Sequence, residues 1–233
     1  MVEFYDLVNK KGGKHFSPFA WRSLLALKHK GIEFNHHGLT FAEINEQIPK
    51  LSNGEWTKIP LVKFDDETIA YDSPKIADYL EANYPEKPLF PNGRHFATFL
   101  ESYLATFLPL FKSVILDAFN SLEAEEDIKY FRNSREALFK VSLEEFAGKK
   151  EDHKEAVDKL LLPFRTTLAK TKFLEGDKAA YSDYILFGHL KFVQMVSIET
   201  FDTFVTNHKD PVLNSWFNSI QNLYDGFGAS FKP

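Results

Sequence analysis

The chain has 233 residues, long for one domain and comfortable for two, so it can bury a sizeable core either way. A net charge of −5 and the lack of any basic cluster longer than a pair exclude nucleic acid and anionic membrane surfaces as partners. Zero cysteines exclude disulfides, thiolate metal sites and cysteine redox chemistry carried by the chain itself, while 24 phenylalanines suit an aromatic core or an aromatic-lined cavity.

In chain order, "VEFYDLV" reads as a strand and "PFAWRSLLALKHKG" as a helix. Ser17 stands at its N-cap, Pro18 at its first position, and Gly31 follows a last turn rich in Lys and His. "IEFNHHGLT" is rich in strand formers, and "FAEINEQIPK" is a short helical or irregular segment that Pro49 should end. "IPLVKF" and "ETIAY" form a hairpin joined by "DDE", and "SPKIADYLEANYP" is a second helix opened by a Ser-Pro pair. The expected fold is α+β with two domains. A βαβαββα unit over residues 1–85 is followed by a linker at 86–93, where "NYPEKPLFPNG" concentrates proline, and by an all-helical bundle over 94–233. The helical part contains long runs such as "HFATFLESYLATFLPLFKSVILDAF" and "SREALFKVSLEEFAG". The charged stretch "EAEEDIKYFRNSRE" reads as a solvated helix end and loop. The longest nearly uncharged run, "TFLESYLATFLPLF", is interrupted by Glu101 and too short to span a bilayer; with no leader-like opening, a cytoplasmic protein is expected.

A βαβ unit with a hairpin, a helix and a motif at the first strand-to-helix turn is the thioredoxin-like arrangement. Redox members carry C-x-x-C there. This chain has "SPFA", with Ser17 and Ala20 in place of the cysteines, so it cannot perform dithiol exchange. Ser17 alone reads as a helix cap. His36 and His37 are adjacent on a strand and point to opposite faces, which does not suit metal binding, so no metal is expected.

The chain resembles the cytosolic glutathione transferases in "FSPFAWRSLLALKHKGIEF" (16–34), "KIPLV" (58–62), "YDSPKIADYL" (71–80) and "YSDYILFG" (181–188). Within that superfamily it is most similar to the serine-type fungal etherase-related and bacterial β-etherase class. The resemblance implies glutathione as co-substrate, with Ser17 activating its thiol. The proline of Ile59-Pro60 would follow a cis peptide, exposing the backbone of Ile59 to the cysteinyl part. Ser73, as the cap of the second Ser-Pro helix, would meet a carboxylate, and Asp72, where many members have Glu, would meet the γ-glutamyl amino group. Lys58 would meet the glycine carboxylate or stay a solvated charge. Asp183 would buttress the helix that opens at "YSDYILFG", although Ala180 stands where the family has a capping Ser or Thr.

The hydrophobic substrate would lie against Phe16, Phe19, Tyr103, Phe107 and Phe111. Phe99, Tyr103, Phe107, Leu108 and Phe111 recur at helical spacing, which suits either a pocket face or core. The function so implied is attack of the thiolate on hydrophobic, aromatic electrophiles by conjugation, peroxide reduction or aryl ether cleavage, in a homodimer. The alternative is a glutathione-dependent binding protein that sequesters aromatic or phenolic compounds with little turnover.

Overall fold

The computed structural model describes residues 1–104 and 107–233. Strand β1 (Val2–Leu7) is central, because its apolar positions Val2, Phe4 and Leu7 are all buried. It pairs in parallel with β2 (Phe34–Leu39) and antiparallel with β3 (Leu61–Lys63), which in turn pairs antiparallel with β4 (Ile69–Tyr71). The strand order is β2-β1-β3-β4. Helix α1 (Pro18–Lys30) connects the two parallel strands. It stops at Gly31, which at φ 74° adopts a left-handed conformation that costs a glycine little and returns its N–H to the carbonyls of Leu27 and Lys28.

Helix α2 (Phe41–Leu51) opens with a reciprocal cap between Thr40 and Glu43 and continues past Pro49. The expectation that Pro49 ends it is therefore corrected. Buried Ile44 and Ile48, one turn apart on the same face, anchor the helix despite the one hydrogen bond that proline forgoes. Helix α3 (Ser73–Asn83) completes a thioredoxin-like unit.

The remainder is helical: α4 (His95–Leu104), α5 (Leu108–Asn120), α6 (Glu125–Phe139), α7 (Leu143–Ala147), α8 (Lys150–Leu168), α9 (Tyr181–Val196) and α10 (Ile198–Phe201). A π-helical turn at Asp202–Thr206, then α11 (Val212–Gln221) and α12 (Leu223–Ser230), complete it. Two runs expected to be continuous are divided. Helices α4 and α5 meet at 61°, and α6 ends where Lys140 takes φ 63°, after which Ser142 caps α7 through the N–H of Glu145. No single helix among the described residues is long and apolar enough to cross a membrane.

Helix α9 is buried along nearly its whole length and packs against α1, while α6 packs against α2. Two faces of the thioredoxin-like unit thus meet the helical part, and the connecting segment between α3 and α4 is tied to both. Leu89 is fully buried; its N–H donates to Glu81 (2.9 Å) and its carbonyl accepts from Tyr181 N–H (2.9 Å).

Candidate active site

Pro18 fixes the first φ of α1, so the preceding residue, Ser17, takes an extended backbone (φ −77°, ψ 120°) and its Oγ accepts the N–H of Ala20 at 3.2 Å. That bond uses the oxygen and leaves the hydroxyl hydrogen without an acceptor among the described residues. Ser17 is only 3% exposed, yet it lines a cavity of about 760 Å³ between the thioredoxin-like unit and the helices. The helix N-terminus places about half a positive charge beside it.

The cavity wall holds Lys58, Ile59, Phe16, Phe19, Phe107 and Phe111 together with Ser17. Leu108 also lies on it, half exposed. Tyr103 departs from the expected shared face. Its hydroxyl donates to the carbonyl of Leu160 on α8 (3.0 Å), and its ring packs against Phe99 and Phe164. The cause is the bend after α4: residues 99 and 103 lie on one helix and 111 on the next, so a period of four no longer keeps them on one face.

The peptide between Ile59 and Pro60 is cis. Asp72 and Ser73 lie apart from the cavity wall, at the start of α3, and here the expected cap is corrected. Ser73 is the first helical residue, and the capping position belongs to Asp72, whose side chain makes no capping bond. Asp72 adopts φ 69°, ψ 120°, a left-handed excursion that costs a non-glycine residue about 1–3 kcal/mol. The buried Ser73 Oγ has no hydrogen-bond partner, while its carbonyl accepts from Tyr181 of α9 (2.8 Å). A strained residue and an unsatisfied hydroxyl at one helix start, directly after strand β4, suit a polar ligand better than a packed core.

Three features of the site were not legible in the sequence. The stretch taken for a solvated helix end and loop forms most of α6, whose Tyr130, Phe131, Ser134, Arg135, Leu138 and Phe139 close the far wall of the cavity. Their spacing of three and four residues carried the signal, but the surrounding charges masked it. The histidines do part company, His37 going to Glu3, but His36 Nε2 (3.1 Å) and His15 Nδ1 (2.9 Å) converge on one oxygen of Asp6. Burial alone would raise the Asp6 carboxyl; the bonds from the two imidazoles outweigh it and hold the carboxyl below its ordinary value. This cluster braces the loop that ends in Ser17, and it depends on a pairing of strands β1 and β2 that places Phe4 opposite His36. On α9, His189 also faces the cavity. Its Nδ1–H donates to the Ile185 carbonyl (3.0 Å), and burial, then the neighbouring Arg22, lower its pKa to about 3, so it is neutral.

Asp183 behaves as expected. It accepts the N–H groups of Ala180 (3.0 Å) and Leu174 (2.9 Å) and the indole N–H of Trp216 (2.8 Å), whereas Ala180 has no side chain to reciprocate.

Residues 13–88 match the family profile for the N-terminal domain of glutathione S-transferase, and residues 94–221 match that for its C-terminal domain. The chain belongs to the glutathione S-transferase family. Among curated proteins it is similar to the glutathione S-transferase-like protein ustS of Aspergillus flavus, at 24% identity over 95% of this chain and 91% of that one. Among solved structures it is similar to the glutathione transferase GSTFuA3 of Phanerochaete chrysosporium (TM-score 0.78, 21% identity, 94% and 95% of the two chains covered). It is also similar to a glutathione S-transferase of Ceriporiopsis subvermispora in complex with glutathione (TM-score 0.80, 21% identity, 96% and 99% covered). The protein is thus a glutathione transferase with glutathione as its co-substrate.

Proposed function

We propose that this transferase activates glutathione through Ser17 and directs the thiolate at hydrophobic, aromatic electrophiles held in the cavity. The observation that carries the reading is the Ser17 hydroxyl, fixed at the N-terminus of α1, with its hydrogen unspent and an apolar cavity in front of it. A thiol with a pKa near 8.5 is mostly protonated at neutral pH, and each unit of lowering takes about 1.4 kcal/mol of differential stabilisation. A donated hydrogen bond together with the helix terminus supplies about one to two units. Glutathione lies along Lys58 and the Ile59-Pro60 backbone, with its γ-glutamyl end at Asp72 and Ser73. The domain limits are 1–85 and 94–233, and a cytoplasmic homodimer completes the reading on family resemblance.

In the attack the sulfur forms a bond to carbon while the bond to the leaving group breaks; from an aryl ether the phenolate departs with the electron pair. Replacing Ser17 with alanine should lower kcat/KM toward an aromatic electrophile by about 10- to 100-fold at pH 6.5, in step with the lost thiolate. Negligible turnover by the unaltered protein, with aromatic ligands binding equally well to Ser17→Ala, would instead favour the sequestering role for which the phenylalanine-rich wall also provides.

A further inference from the structure

The cavity wall is apolar except at a few points, and its charges share one sign. Among the described residues Lys58 and Arg135 are the charged groups on it, and no carboxylate lines it. Arg94, Arg132 and Arg165 each hold a carboxylate elsewhere in the fold; neither Arg22 nor Arg135 takes part in an ion pair among the described residues, and of those two Arg135 lines the cavity. Its guanidinium lies over Phe131 (4.4 Å) and Phe41 (5.2 Å), with one nitrogen donating to Ser134 Oγ at 2.8 Å. Burial lowers its pKa from the ordinary value, and of the neighbouring groups Tyr130 opposes that shift. A guanidinium has five N–H donors in a planar fork, so most of Arg135's capacity is unspent. Desolvating a cation without a counter-ion is costly, and an oxyanion entering the cavity would relieve that cost with a bidentate contact. His189, neutral and with its Nδ1–H committed, supplies no competing charge.

We propose that the cavity selects second substrates that join an aromatic body to a carboxylate or similar oxyanion, with Arg135 as the residue that determines this specificity. The phenylalanine rings of the wall take the aromatic part, and Arg135 takes the acid. The inference rests on the reading of this cavity as the second-substrate site, in which Lys58 is engaged by glutathione.

The test is equilibrium binding of 2-naphthoate and its methyl ester in the presence of S-methylglutathione, which has no thiol, so that neither Ser17 nor turnover enters. The unaltered protein should bind the acid at least 10-fold more tightly than the ester. Arg135→Gln should abolish that preference while leaving the ester's affinity within about twofold, and Arg135→Lys should keep part of it. Equal affinity for acid and ester in the unaltered protein, or a preference that survives Arg135→Gln, would overturn the assignment while leaving the cavity reading intact. Failure of both ligands to bind would overturn the cavity reading and this inference together.

Discussion

Gly188→Ala is expected to lower the unfolding midpoint by about 5–10 °C and to cut transferase activity, because there is no room for even one methyl group. A Cβ at position 188 would lie 2.3 Å from the carbonyl oxygen of Pro18 and 3.5 Å from Cβ of Trp21. The first of these is backbone, which no change of rotamer can move. Overpacking of this kind costs about 1–3 kcal/mol, and about 2–4 °C per kcal/mol applies to a chain of this size. The effect reaches function because Pro18 is bonded to Ser17. Pushing α9 away from α1 displaces the turn that aims the hydroxyl. Thermal denaturation and steady-state kinetics on the same preparation check both parts; an unchanged midpoint with full activity would show that α1 and α9 can part at little cost.

Asp183→Ala should cost still more stability, about 3–5 kcal/mol. The carboxylate of Asp183 is fully buried and satisfies three donors from three segments: Ala180 N–H at its own helix start, Leu174 N–H in the preceding loop, and Trp216 Nε1–H on α11. Alanine leaves all three buried without acceptors, at about 1–3 kcal/mol each before relaxation. Some of that loss is returned, because burial pushes the Asp183 carboxyl up to about 6, so its charge is itself held at a cost at neutral pH. Asp183→Asn should fall between, since its amide oxygen can keep the bonds to Leu174 and Trp216 while its NH₂ faces the N–H of Ala180. Urea titration followed by tryptophan fluorescence measures the series. A loss under about 1 kcal/mol for the alanine variant would mean that water reaches these donors.

Much of the fold was legible because local signals and tertiary demands agree. The Ser17-Pro18 start and the Gly31 stop of α1 coincide with what the chain does, and so do the alternation of β1 and the short hairpin. Signals failed where a single residue adopts an unfavoured conformation for tertiary reasons. Lys140 in a left-handed conformation divides α6 from α7, and Asp72 at positive φ moves the start of α3 so that Ser73 caps nothing. At the site, Ser17 could be read as a helix cap because the Ser-Pro pair is a local signal, and its Oγ does accept the N–H of Ala20. Tyr103 was misplaced because an apolar stripe cannot report a bend between helices. The α6 wall has a helical spacing that its surrounding charges masked, whereas the Asp6, His15 and His36 cluster depends on contacts between segments far apart in sequence, which no local pattern encodes.

In the proposed function, Ser17 and the N-terminus of α1 favour the thiolate of bound glutathione. A pH titration of thiolate absorbance for glutathione bound to the unaltered protein and to Ser17→Ala tests this, with about one to two pKa units of lowering expected from the bond and the helix terminus. That lowering is expected in the unaltered protein and should be lost in the variant. The same bound-thiol pKa in both proteins, with glutathione binding intact, would contradict it and leave Ser17 a helix cap.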